Sequence, residues 1–321
     1  MPFSRREGIM GGIERKEIRE MNYFVVDVGG TFVKYAVMNA EGEFIEKGKF
    51  PSIADDRQRF LDSIETQFHA CEEKYGPLAG IAISMAGILD VETGYAYSGG
   101  AIFCVNDMNI ASYFSEKCGV PVTIENDAKA AALAELWRGN LSDARDGVVI
   151  VIGTAIGGAV IIDRKVVRGK DFFAGEFSYI LRRDGENRDF SYIWGSDGGA
   201  RGLIGMIAEK KSIPYEEMDG FKAFELINSG DQEAVSALHV YCAGLATRIW
   251  NLHAVLNPDR FLIGGGISEQ PILLETLREE IGKIMAVMPD NLKEPEVMTC
   301  MYFNDSNLIG ALYGHLVRYP A

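Results

Sequence analysis

Positive charge is what this chain of 321 residues has too little of: 32 lysines and arginines face 46 aspartates and glutamates, for a net charge of −14. Such a balance repels phosphate backbones and anionic lipid unless a local basic patch compensates, and short runs such as Arg182-Arg183 do not build one. No nucleic-acid or membrane partner is therefore expected. No apolar run is long enough to span a bilayer, and residues 1–21 open with charge (Arg5, Arg6, Glu7) without the apolar stretch of a signal peptide, so a cytoplasmic protein is expected. Cysteine pairs are missing too. The five cysteines (Cys71, Cys104, Cys118, Cys242, Cys300) are scattered without a C-x-x-C, which fits free thiols in a reducing compartment. Neither a G-x-x-x-x-G-K-[ST] loop nor the dinucleotide glycine spacing occurs, which excludes two common nucleotide-binding designs.

What is present is a repeat. A strand-like run Tyr23–Asp27 enters Val-Gly-Gly-Thr31 and continues as a second strand, Phe32–Met38. Much later Val148–Ile152 enters Gly153-Thr-Ala-Ile-Gly-Gly158 and continues as Ala159–Ile162. β-Branched residues dominate all four flanks, so the chain reads as internally duplicated. Between and after the echoes the pattern predicts a helix over 56–75, strands over 79–84 and 121–125, and a helix from Asp127 whose inward stripe is Ala128, Ala131, Ala132 and Leu136. Residues 182–197 read as a loop or insertion. Helices over 231–256, 272–288 and 307–317 surround one more strand, Arg260–Ile263. Alternating strands and helices argue an α/β fold, and the length argues two domains.

Glycine lets main-chain N–H groups approach phosphate oxygens, and Thr31 and Thr154 add a hydroxyl at each turn. One Gly-Gly between strands is more often a simple hairpin; two in matching positions favour phosphate binding. Gly264-Gly265-Gly266, after the Arg260–Ile263 strand, reads equally as a strand-to-helix turn or as backbone opened to an adenosine. Asp27 ends an apolar strand, where a carboxylate needs compensation; a hydrated Mg²⁺ on the phosphates would supply it, and turn capping is the plainer reading. Asn126-Asp127 stands between a strand and a helix. N-capping explains that placement, and so does catalysis: Asp127 is placed to accept a proton from a hydroxyl that attacks a γ-phosphate, with Asn126 orienting a neighbouring hydroxyl.

Taken together, Asp27-Val-Gly-Gly-Thr31, Glu125-Asn-Asp127, Gly153-Thr-Ala-Ile-Gly-Gly158, Arg168-Gly169 with Gly175-Glu176-Phe-Ser-Tyr179, and Ile263-Gly-Gly-Gly-Ile-Ser268 occur in the order seen in ROK sugar kinases. The resemblance runs from Tyr23 to the last helix. It implies an actin-like fold of two ribonuclease-H-like lobes with ATP and Mg²⁺ in the interlobe cleft, and a homodimer. Expected boundaries are an unstructured extension over 1–21, a first lobe of 22–125 plus 305–321, and a second lobe of 126–304. The resemblance makes Asp127 the general base and puts Asn126, Glu176, Tyr179, Gly87 and Asp197 on the sugar. It puts Asp27, Gly29, Gly30, Thr31, Lys34, Thr154, Gly157, Gly158, Gly264, Gly265 and Gly266 on the nucleotide and its metal. Without it, Glu176 reads as an ordinary solvated loop acid.

Two departures stand out. Tyr179 sits where the family has a histidine, and 182–201 lacks the family's cysteine cluster; with His69, His239, His253 and His315 dispersed, no structural zinc is expected. This pattern, with Ser98-Gly-Gly-Ala-Ile102, resembles the branch that includes bacterial β-glucoside kinases, which implies transfer to the 6-hydroxyl of glucose or of a cellobiose-like disaccharide. N-Acetylmannosamine and fructose are alternative substrates. Ala155 and Ala159 replace usual glycines, and a strained φ > 0 there would weaken the phosphate grip. That raises the alternative of a catalytically idle sugar binder. A sugar-responsive repressor is the other alternative, and the roughly 20 residues before Tyr23 are short for a helix-turn-helix domain.

Overall fold

The structure is a computed structural model that describes residues 21–182 and 190–320. The expected extension over 1–21 lies outside these residues except for Met21, and so does the middle of the expected loop over 182–197. The chain divides into two compact units, one running up to Ala130 and resuming at Asn307, the other covering Ala131–Ser306.

In the first unit β1 (Asn22–Val28), β2 (Phe32–Asn39) and β3 (Phe44–Pro51) form an antiparallel meander, while β4 (Leu78–Met85) and β8 (Val122–Asn126) add in parallel, giving the order β3-β2-β1-β4-β8. Three short strands, β5 (Leu89–Asp90), β6 (Tyr95–Ala96) and β7 (Met108–Asn109), make a separate small sheet. The helices are α1 (Arg57–Tyr75), α2 (Ile110–Cys118), the start of α3 (Asp127–Arg138) and nearly all of α8 (Ser306–Arg318). Parallel strands need covered faces: β4 reads as a near-continuous apolar run and β8 is buried along its whole length. Helix α1 starts where Asp56 accepts the Arg59 amide at 3.1 Å, and its stripe Phe60, Leu61, Ile64, Phe68 and Cys71 is buried.

The second unit repeats the plan. Strands β9 (Gly147–Ile152), β10 (Ile156–Ile162) and β11 (Lys165–Val166) are antiparallel, β12 (Arg260–Gly264) and β13 (Val297–Thr299) are parallel, and the order is β11-β10-β9-β12-β13. Position by position this is the first sheet again, the structural form of the duplication legible in the two glycine turns. Helices α4 (Ala200–Lys210), α5 (Gly220–Asn228), α6 (Gln232–Leu256) and α7 (Pro271–Met285) build the second core. Helix α6 is capped by Asp231, which accepts the Ala234 amide at 3.1 Å, and ends at Asn257 in the left-handed region just before Pro258. Every cysteine is unpaired, and Cys71, Cys242 and Cys300 are buried.

The turns are less alike than their sequences. Paired residues Val28 and Val33 flank the first, where the Gly29 amide donates to Phe32 O at 3.1 Å. Ile152 and Ile156 flank the second, where the Gly153 amide donates to Ala155 O at 3.0 Å. The second turn is thus shorter than its glycines suggest, and Gly157 and Gly158 belong to β10, opposite Val151 and Ile150.

Strand β8 and helix α8 meet at His315, which is 1% exposed, with Nδ1 3.0 Å from the Thr123 hydroxyl. Burial lowers the pKa of this imidazole from 6.5 to about 4. Between those values the unfolded chain holds a proton that the folded chain refuses. Stability from neutral His315 is therefore complete above about pH 6.5 and is lost as pH falls towards 4, by about 3 kcal/mol at 1.4 kcal/mol per pH unit. Chemical denaturation of the wild type and His315→Gln between pH 7 and pH 4 checks this. The stability gap between them should shift in the variant's favour as pH falls, and a gap constant with pH contradicts it.

Candidate functional site

The first unit gathers its polar residues at the carboxyl ends of β1, β4 and β8. Asp27 is 7% exposed near the end of β1. Its Oδ1 accepts from Ser84 Oγ at 3.3 Å and from Asn307 Nδ2 at 3.0 Å, and its Oδ2 lies 3.6 Å from Lys34 Nζ. Strand register explains two of these partners: Asp27 is opposite Lys34 across β1–β2 and opposite Ser84 across β1–β4. The protein itself thus surrounds the Asp27 carboxylate with a cation and two donors, compensation that its burial requires. In the adjoining turn, the amides of Gly30 and Thr31 make no hydrogen bond among the described residues, while Gly29 O accepts from Ser52 Oγ and Thr31 O from the Ser52 amide.

Asn126 closes β8 and caps α3. Its Oδ1 accepts the amides of Ala128 and Lys129 at 3.1 and 3.2 Å, and its Nδ2 donates to Gly87 O at 3.1 Å. N-capping is therefore real here, and it leaves the second Nδ2 hydrogen for another acceptor. Gly87 has φ +126, and a Cβ there would lie 1.9 Å from Ser98 O, so only glycine lets the Ser98–Gly100 loop close over β4's end. Asp127 follows as the first residue of α3, half-buried, with Oδ1 accepting the Ala128 amide at 2.8 Å. A helix N-terminus suits a carboxylate.

In the second unit three backbone features converge at the carboxyl ends of β9 and β12. Thr154 sits in the β9–β10 turn, and its amide makes no hydrogen bond among the described residues. Helix α4 begins beside that turn: the Ala200 amide donates to Gly153 O at 2.9 Å, and a Cβ on Gly199 would lie 2.4 Å from Thr154 O. Gly265 has φ +93 with its added Cβ 2.1 Å from Ile152 O, whereas a Cβ on Gly266 would meet open space. Gly264 ends β12 against Cys300 Sγ. Unpaired turn amides beside a helix N-terminus are anion-binding chemistry.

Several expectations change. Ala155 and Ala159 do not have positive φ, so the strain that would have loosened the phosphate grip is absent; Ala159 is an ordinary buried strand residue. Gly158 faces inward, where an added Cβ would lie 2.1 Å from Phe177 Cδ2, so its missing side chain serves packing. Asp197 is ion-paired with Arg182, in a cavity of about 180 Å³ with Trp194, Tyr241 and Arg248. Glu176 and Tyr179 lie on one short turn, with the Tyr179 amide donating to Glu176 O at 3.1 Å; Glu176 is half-buried and Tyr179 exposed. Phe177 anchors that turn in the core, its ring centroid 6.3 Å from that of Trp194. Among the described residues no group of three His, Cys, Asp or Glu side chains is placed to hold a metal ion.

Sequence reasoning missed Ser84, Asn307 and the N-terminus of α4. Ser84 had a signal, a hydroxyl at the end of a predicted strand; Asn307, 280 residues from Asp27, had none.

The ROK family sequence model matches residues 23–316. A beta-glucoside kinase of Klebsiella pneumoniae is 31% identical over 306 residues, spanning 94% of this chain and 98% of its own length. A beta-glucoside kinase of Listeria innocua is 30% identical over 297 residues, with 92% and 98% covered. A solved structure of a candidate N-acetylmannosamine kinase from Listeria monocytogenes superposes with a TM-score of 0.82 at 30% identity, covering 93% of this chain and 99% of that one. The fold is the expected actin-like one of ribonuclease-H-like units. Across the described residues no helix is long and apolar enough to cross a membrane.

The glycines separate by substitution. Gly158→Ala should cost about 1–3 kcal/mol of unfolding free energy through overpacking against Phe177. Gly266→Ala should stay within about 0.5 kcal/mol of wild type and instead weaken binding of ATP, read by calorimetry. Equal stability losses in the two variants contradict this division.

Proposed function

Because the chain belongs to the ROK family, we propose that it is an ATP-dependent kinase acting on a sugar hydroxyl, with the 6-hydroxyl of glucose or of a β-glucoside such as cellobiose as acceptor. The observation that carries this reading is the β8–α3 junction. There the Asn126 side chain is fixed by two helix amides and Gly87 O, and it sets Asp127 at the carboxyl end of a parallel strand. Two beta-glucoside kinases matched over nearly their whole lengths support the acceptor class.

In this reading Asp127 accepts the proton of the acceptor hydroxyl as its oxygen bonds to the γ-phosphorus and the bond to the departing ADP oxygen breaks. Asn126 directs its remaining amide hydrogen to a neighbouring hydroxyl, and Glu176 accepts from others. Gly30, Thr31 and Thr154 offer amides to phosphate oxygens, and the N-terminus of α4 adds its dipole. Gly266 leaves the backbone open to the nucleoside, beside Gly264 and Gly265, which pack against Cys300 and Ile152. Bound ATP supplies the phosphoryl group, and a hydrated Mg²⁺ on its phosphates would offset their charge. Asp27 fits that ion as a single carboxylate beside phosphates, since Mg²⁺ keeps most of its waters. Lys34, beside Asp27, adds a cation at the same place. The absence of positive φ at Ala155 and Ala159 weighs against an idle homologue.

ADP release measured with glucose, cellobiose, gentiobiose, N-acetylmannosamine and fructose should show turnover with glucose or a β-glucoside. Asp127→Asn should lower kcat on the order of a thousandfold with sugar affinity within a few-fold of wild type. Full activity in that variant removes Asp127 from the proton-accepting role. No turnover with any of these sugars, despite sugar binding, overturns the kinase reading.

A further inference from the structure

We infer that Phe173 and Tyr179 form a stacking platform for the ring carried on the anomeric oxygen of a β-glucoside. The inference rests on the reading that Glu176 engages the phosphorylated glucose unit. It concerns substrate choice, which the phosphoryl-transfer residues leave open.

The two rings lie 5.2 Å apart between centroids at 51°, within the range of a favourable aromatic pair. Phe173 is 47% exposed and Tyr179 48% exposed, while Phe177 between them in sequence is 4% exposed. This segment therefore has a core contact available and uses Phe177 for it, against Trp194 and the bare face of Gly158. The other two rings remain paired at the surface. Apolar area left in water forgoes about 25 cal/mol per Å², so a preassembled exposed pair is a surface ready to be covered.

The backbone holds that pair in place. Ala174 N–H donates to Arg168 O at 3.1 Å and closes the loop, and Phe172 adopts φ +58, a conformation that costs a bulky residue on the order of 1 kcal/mol. Glu176 lies between the rings in the same hydrogen-bonded run: its amide donates to Phe173 O at 3.2 Å, and its carbonyl accepts from the Tyr179 amide. Below, Ser178 Oγ donates to Ile156 O, fastening the run to β10. Glu176 thus stands in the same hydrogen-bonded turn as both aromatic residues.

The chemistry of the pair selects its occupant. Phe173 offers no hydrogen-bonding atom, only an aromatic face with negative charge density. The C–H face of a pyranose, or the planar ring of an aryl glucoside, complements such a surface. Free glucose has a single ring and leaves the platform uncovered.

Calorimetric dissociation constants of the full chain for glucose and cellobiose, in wild type, Phe173→Ala and Phe173→Trp, test the inference. Wild type should bind cellobiose more tightly than glucose. Phe173→Ala should reduce the cellobiose-to-glucose affinity ratio about tenfold, and Phe173→Trp should keep it. A ratio unchanged by Phe173→Ala, or a wild type without preference for cellobiose, overturns the platform. ADP release on the same sugars reads the kinase function separately. Preferential binding without turnover sinks phosphoryl transfer and leaves the platform standing. Turnover with an unaltered ratio does the reverse, and failure to bind either sugar removes both.

Discussion

A carboxylate buried near the end of a central strand is costly unless polar partners meet it. Asp27 is met from β2 by Lys34, from β4 by Ser84 and from α8 by Asn307, so the first strand of the chain and its last helix are joined through one side chain. The constraint reaches further than the carboxylate. It fixes the β1–β2 turn at the same end of the sheet as the β8–α3 junction, where Asn126 and Asp127 stand. The turn amides and the Asp127 carboxylate thus share one end of the sheet. Splitting the Asp27 cluster would unsettle both.

The second unit solves the corresponding problem with backbone alone. No buried carboxylate matches Asp27 at the end of β9; in its place are the Thr154 amide, the start of α4 and the close approach of Gly265 to Ile152 O. Two copies of one topology have therefore diverged in chemistry while keeping strand order. The acidic balance of the whole chain fits this division, since the expected anion contacts are main-chain N–H groups and a helix end more than basic side chains.

Much of this was legible in the residues. The repeated strand–turn–strand pattern gave the first two strands of each meander, and the apolar periodicities gave α1, α6 and α8 close to their observed bounds and the start of α3; α1, α3 and α6 carry cap or stop signals in sequence, namely Asp56, Asn126, and Asp231 with Pro258. Helices α4 and α5 were not legible. Gly198-Gly199 and Gly202 obscure the start of α4, and Pro214 breaks the segment between them, so local propensity argues for loop where packing on α6 decides for helix. The extent of the second turn was misread because Gly157 and Gly158 look like turn glycines, and only the Phe177 ring explains why a strand residue there has no side chain. Asn307 could not be linked to Asp27 by any local rule, since closure of the first unit by α8 is what joins them.

The same Phe177 contact bears on the missing histidine and cysteines. Here the Glu176 turn is pinned by a buried phenyl ring stacked on Trp194, by glycine opposite that ring, and by a hydroxyl hydrogen bond to β10. Packing and one hydrogen bond position a backbone turn well when the ring is fully buried, and they place no demand on Tyr179, which is left at the surface. There it pairs with Phe173, the ring centroids 5.2 Å apart.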